Sequence, residues 1–188
     1  MGKMKAHNRI ANSDATQAKT RPAKKRKRRP ADRRKQLRDQ LWEDADSRIW
    51  DRHRNDGYTS VPRILPLVMV LVKTLAQKGD PGSVYCELWL RCYDEGFISI
   101  SDQEDCAFAS GYSGTRALRT WREHILTLAE LGFIDVKPVG NKEIGHILLL
   151  NPLTVCAKLN ANGRVTEEWW AAFVARATEV GAVIPKIK

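Results

Sequence analysis

Between Ser113 and Phe133 the chain reads S-G-T-R-A-L-R-T-W-R-E-H-I-L-T-L-A-E-L-G-F, the stretch where side chains suited to recognition chemistry are most regularly placed. Thr115, Arg116, Arg119, Thr120 and Arg122 supply hydroxyl and guanidinium donors, which reach phosphate oxygens and base edges. On a helical wheel Leu118, Trp121, Ile125 and Leu128 form one apolar stripe, with Arg116, Arg119, Thr120 and Glu123 opposite and Arg122 at its flank. The pattern predicts a helix from about Gly114 to Leu131, capped by Ser113 and closed by Gly132, with one face in a core and the other able to enter a major groove.

Other residue types give less. Cys86, Cys92, Cys106 and Cys156 form no C-x-x-C pair and fall on expected helices, so buried free thiols in a reducing cytosol are expected rather than zinc or disulfides. His7, His53, His124 and His146 are scattered, with no spacing for catalysis or a metal. Gly111-Tyr112-Ser113-Gly114 lacks the strand-turn-helix setting of a nucleophile elbow, and a helix cap accounts for its serine. The acids of Trp42-Glu43-Asp44-Ala45-Asp46 suit a solvated helix face better than a metal-dependent nuclease. No enzyme, cofactor or metal is expected.

Charge is concentrated at one end. Residues 1–38 hold 15 Lys or Arg against Asp14 and Asp32, a net of +13, whereas the remaining residues carry a net of −3 within a total of +10. The run Lys24-Lys25-Arg26-Lys27-Arg28-Arg29 repels itself and has nothing apolar to bury, so residues 1–31 are expected to be disordered. Such a tail suits a sequence-independent clamp on nucleic acid, with a solubilising terminus or a nuclear address as the alternatives. The first of these is favoured by the second nucleic-acid signal at Arg116 and Arg119.

The elements that must position these groups can be read in order. With 188 residues and 43% hydrophobic content the chain can bury one substantial core. The apolar run Ile64 to Val72 is interrupted by Pro66 and flanked by Arg63 and Lys73, so no membrane span or secretory signal is expected. Residues 32–57 predict an amphipathic helix, capped by Asp32 and running to about His53, with Leu37, Leu41, Ala45 and Ile49 on one stripe, Trp42 and Trp50 beside it, and a turn at Asn55-Asp56-Gly57. Pro62 to Gln77, apolar nearly all round, predicts a buried helix, and Ser83 would cap another to about Glu95. Phe97 to Ile100 reads as a strand, and Ser101 or Asp102 caps a helix through Phe108.

After the arginine-bearing helix, Phe133 to Val136 and Ile144 to Leu150 read as two strands joined by Pro138 to Glu143, with Gly140 and Asn141 taking the positive φ of the turn. Lys137, Asn141, Lys142 and also His146 would lie near a phosphate backbone. The stretch E-D-C-A-F-A-S-G-Y-S-G-T-R-A-L-R-T-W-R-E-H-I-L-T-L-A-E-L-G-F-I resembles bacterial winged helix-turn-helix regulators and plasmid replication proteins, over about Ser83 to Leu150. The resemblance implies a mainly α fold with a small β-hairpin, and major-groove reading by Thr115, Arg116, Arg119 and Thr120. It also implies double-stranded DNA as partner and a cytoplasmic place beside nucleoid or plasmid.

The expected winged domain spans 58–159 with its extra buried helix, and residues 160–188 form a loop and last helix. Asn151-Pro152 opens a helix to about Leu159, and Thr166 caps one to about Val180 with Trp169, Phe173 and Ala177 on its stripe. That helix is expected to dock on its own domain, with a homodimer or protein partner through the terminal helices as the other option, and Ile184 to Lys188 is expected to be loose. The function expected is transcriptional regulation or replication control. Its rival is an adaptor subunit of a nucleoprotein complex, in which the domain contacts protein and the tail contacts nucleic acid.

Overall fold

The computed structural model describes residues 30–187, so Lys24, Lys25, Arg26, Lys27, Arg28 and Arg29 lie outside the described residues. The chain divides into one unit ending at Arg54 and another from Asn55 to Lys188. Among the described residues there are eight helices and one three-stranded sheet, and no helix is long and apolar enough to cross a membrane.

The first unit holds α1 (Pro30–Leu41) and α2 (Ala45–Arg48) in place of the single helix expected from Asp32 to His53. Two ion pairs accompany the break. Arg38 donates to Asp46 at 2.6 Å, and Arg48 pairs with Asp44 at 3.1 Å. A pair eight residues apart would be separated by ~12 Å along a continuous helix, so the bend at Trp42 to Asp44 lets the first contact form. The apolar stripe does not hold the helix straight, because Leu37, Leu41 and Ile49 are exposed. The hydrogen-bonded turn also falls earlier than Asn55 to Gly57, with Arg54 N–H donating to the Asp51 carbonyl at 3.0 Å.

The second unit begins with α3 (Leu65–Leu75) and α4 (Gly82–Arg91). Leu65, Val68, Leu71 and Val72 are buried, whereas Val70 is exposed, so α3 lies along the core and is not enclosed by it. Ser83 does not cap α4: the Asp80 carboxylate accepts from the Gly82 amide at 3.0 Å instead. The helix stops at Arg91, short of Glu95, because Gly96 at φ 69° must deliver the chain to β1 (Phe97–Ser99), where its carbonyl accepts from Leu149 at 2.8 Å.

Then come α5 (Gln103–Ala109) and α6 (Ala117–Glu130), followed by β2 (Ile134–Val139) and β3 (Lys142–Leu149). The strands are antiparallel in the order β1-β3-β2, with Ile98 opposite Ile147 and Val136 opposite Ile147. The hairpin is tighter than expected: only Gly140 and Asn141 join the strands, and of the two only Gly140 has positive φ. Pro138 has no amide to donate to the ladder, and the register shifts between Lys137 and Val139 beside it. Val139 consequently lies over Gly145, where an added Cβ would meet its side chain at 2.6 Å and its backbone nitrogen at 2.7 Å.

The chain closes with α7 (Pro152–Ala161) and α8 (Glu167–Val180), capped by Asn151 and Thr166 as expected. Phe173 and Ala177 are buried, and Trp169 Nε1 donates to the Leu67 carbonyl at 3.1 Å, so α8 docks on its own unit. Ile184 packs against the same core, so the end of the chain is not loose throughout.

Gly145→Ala should lower the unfolding free energy by ~1–3 kcal/mol in urea denaturation, because the nearest obstacle includes backbone. A loss well under ~1 kcal/mol would show that the bulge at Val139 yields instead.

Candidate nucleic-acid interface

Two helices and a glycine-bearing turn set the surface on which the expected contact residues stand. Asp102 caps α5 by accepting from the amides of Glu104 (2.8 Å) and Asp105 (3.2 Å). Gly111 at φ 90° and Gly114 at φ 82° then turn the chain towards α6. The second reversal separates Ser113 from the helix, so Ser113 does not cap it; the Ala117 amide donates to the Gly114 carbonyl at 3.1 Å and α6 starts three residues later than expected. Thr115 and Arg116 therefore stand exposed in the turn, ahead of the first helical residue. At the other end Gly132 at φ 81° closes the helix as expected, with Phe133 N–H donating to Leu128 at 3.0 Å.

Burial of Trp121, Ile125 and Leu128 sets the rotation of α6 and hence the direction of each polar residue. Arg119 points outward with 82% of its side chain exposed, in an i,i+4 ion pair with Glu123 at 2.9 Å. Arg122 turns towards α5, where its Nε donates to Gln103 Oε1 at 2.7 Å. The same Gln103 donates through Nε2 to the Ile144 carbonyl at 2.9 Å, so one amide side chain joins α5, α6 and β3. Lys142 adds a second tie from the hairpin, donating from Nζ to the Ser101 carbonyl at 2.9 Å.

The other expected residues are placed differently. Thr120 leaves the outward face for the opposite flank of α6, where it is half-buried in a cavity with Gly79, because a position 100° from Trp121 cannot share the Arg119 direction. Lys137 is paired with Asp135 at 3.4 Å, Asn141 is exposed at the hairpin tip, and His146 sets its ring against Phe97 at a tilt of 46° with centroids 5.1 Å apart.

Gln103 has no signal in the sequence, since its partners are 19 and 41 residues away. His124 is one of four scattered histidines in the sequence, yet it is buried and sits in a polar network. The Tyr112 hydroxyl lies 2.6 Å from His124 Nδ1, 3.2 Å from Ser83 Oγ and 3.3 Å from the Asp80 carbonyl oxygen. The ring fits because residue 79 is glycine, as an added Cβ there would stand 2.3 Å from Nε2. Burial holds His124 below the usual imidazole range, and the nearby Asp80 and Glu123 carboxylates only partly offset this.

The thiols offer little chemistry. Burial pushes Cys106 up to about 11 and Cys156 up to about 12, far from the thiolate a nucleophile needs. Comparison with protein-family models, curated proteins and solved structures finds nothing that matches this chain.

Since folding depresses the His124 pKa, the unfolded chain binds that proton more readily, and the contribution is full above the usual imidazole range and lost as pH falls through it. Burial raises Glu87, so its contribution has the opposite sign and is lost as pH rises, an effect that the parent and a His124 variant share. Unfolding free energy should therefore decline between about pH 7.5 and 5.5, and the decline should flatten in His124→Gln whatever that variant's absolute stability. An unchanged slope in the variant would assign the dependence elsewhere.

Proposed function

We propose that this chain is a non-enzymatic protein that binds double-stranded DNA, with α4, β1, α5, α6 and the β2–β3 hairpin acting as a winged helix-turn-helix. Its role is transcriptional regulation or replication control, and its place is the cytoplasm, beside nucleoid or plasmid. The observation that carries the reading is the double hydrogen bond of Gln103, which locks the start of α5, the Arg122 flank of α6 and the hairpin strand β3 into one surface. Docking in a major groove with a flanking hairpin needs these three parts at fixed relative positions.

On this reading Thr115 and Arg116 meet the DNA first, because they precede α6 and are exposed. Arg119 is available as well: its pairing with Glu123 is solvent-exposed, and exposed pairs are worth only ~0–1 kcal/mol, so a guanine edge or phosphate can take the guanidinium over. Residues 39–188 carry a net of −3, which leaves long-range attraction to the cations of residues 1–38, Lys24 to Arg29 among them. The tail supplies affinity without sequence preference, and α6 supplies the preference.

Two exposed apolar side chains favour a second reading. Phe108 is 74% exposed on α5 and Leu126 52% exposed on α6, where an adaptor subunit would present such groups to a protein partner.

Fluorescence anisotropy separates the two, using a duplex selected from a random pool, a random duplex and a salt series. Arg116→Ala and Arg119→Ala should each weaken the selected duplex by ~1–3 kcal/mol and the random one far less. Changing Lys24, Lys25, Arg26, Lys27, Arg28 and Arg29 to Gln together should weaken both duplexes alike and flatten the salt slope by roughly 0.9 for each phosphate no longer neutralised. Equal losses on both duplexes for the arginine variants, or no preference in the parent, would favour the adaptor.

A further inference from the structure

The flank of α6 opposite Arg122 borders two adjoining cavities of the second unit that share Glu130, Leu131 and Arg164. One, of about 510 Å³, has Leu131, Leu150, Val155 and Leu159 in its lining, together with Lys158. The other, of about 650 Å³, is polar and is lined by Lys78, Gly79, Thr120, His124 and Thr127. Each falls within the range of small-molecule sites, and together they offer an apolar compartment continuous with a polar one.

The charges lining this depression are out of balance. Lys78, Lys158 and Arg164 are in no ion pair among the described residues, and Glu123 is already engaged by Arg119. Glu130 is the one carboxylate of the lining left to oppose three cations. Arg164 stands at the junction of the two compartments, on the loop between α7 and α8, and Lys78 stands on the loop between α3 and α4. A negative group between these loops would be held by two cations from separate parts of the chain.

We propose that this depression binds a small organic anion with an apolar body, of the carboxylate class. The carboxylate lies between Lys78 and Arg164, and the body covers Leu131, Leu150, Val155 and Leu159. Glu130 and the carbonyl end of α6 disfavour a second or third negative charge, which selects a carboxylate over a nucleoside polyphosphate. Because α6 forms one wall, an occupant braces it against both loops. The assignment rests on the cavity and its charges and stands apart from the DNA reading.

Isothermal titration of the full chain with octanoate, octanol and octylammonium compares one body carrying three head groups, and benzoate tests a different body. Octanoate or benzoate should bind saturably and raise the thermal midpoint with concentration, while octanol and octylammonium bind at least ~10-fold more weakly. Lys78→Gln and Arg164→Gln should each weaken the carboxylate ~10-fold, with Arg63→Gln, outside the cavity, leaving it unchanged. Octylammonium binding as tightly as octanoate, full affinity in the Lys78→Gln/Arg164→Gln double variant, or no saturable binding of either carboxylate at millimolar concentration would each overturn the proposal.

Discussion

Trp121 is fully buried near the middle of α6, together with Ile125 and Leu128, and this fixes how that helix is rotated about its axis. A helix advances 100° per residue, so anchoring one side chain assigns a direction to all the others. Arg119 and Glu123 are left outward, Arg122 is turned to α5, and Thr120 and His124 are turned to the opposite flank. The anchor is not free of cost, since the indole Nε1 finds no hydrogen-bond partner among the described residues. Apolar burial of so large a ring outweighs one unpaired donor: at ~25 cal/mol per Å² over ~150–250 Å² it contributes ~4–6 kcal/mol, against ~1–3 kcal/mol for the donor.

Around that anchor the second unit is held by contacts that are local in space and distant in sequence. Tyr85 meets Phe133 edge to face at 5.3 Å, which brings α4 to the end of α6, and Trp169 on α8 donates from Nε1 to the Leu67 carbonyl on α3 at 3.1 Å. Arg91 pairs with Glu87 on its own helix and with Asp105 at 3.0 Å on α5. The groups that face solvent are thereby positioned by packing that none of them takes part in.

What is legible in the sequence follows from this division. Helices with strong periodicity or a polar cap next to an apolar run are recognisable: α5 from Asp102, α7 from Asn151 and Pro152, α8 from Thr166, and the body of α6 from its stripe. Element ends are less so, because they depend on distant partners. Ser83 and Ser113 have the right chemistry for caps, but Asp80 reaches the Gly82 amide first and Gly114 turns the chain away from Ser113. The single helix expected from Asp32 does not form because Leu37, Leu41 and Ile49 are exposed and so bury nothing that would hold it continuous. At the site, the exposure of Arg119 follows from periodicity and that of Arg116 from the turn at Gly114, whereas Gln103 and the Tyr112–His124 contact are tertiary pairings with no local pattern.

The Gln103 side chain has one further consequence, which comes from its being a neutral amide. Contacts between exposed charges fade as mobile ions accumulate, over a screening length of about 8 Å at physiological ionic strength, but a hydrogen bond from an amide to a backbone carbonyl does not depend on such attraction. The brace between α5 and β3 is of this second kind. On the proposed reading, ionic conditions that release a polyanion from the arginines would leave the frame that presents them in register, so that capture and release could repeat on a surface that needs no rebuilding between rounds.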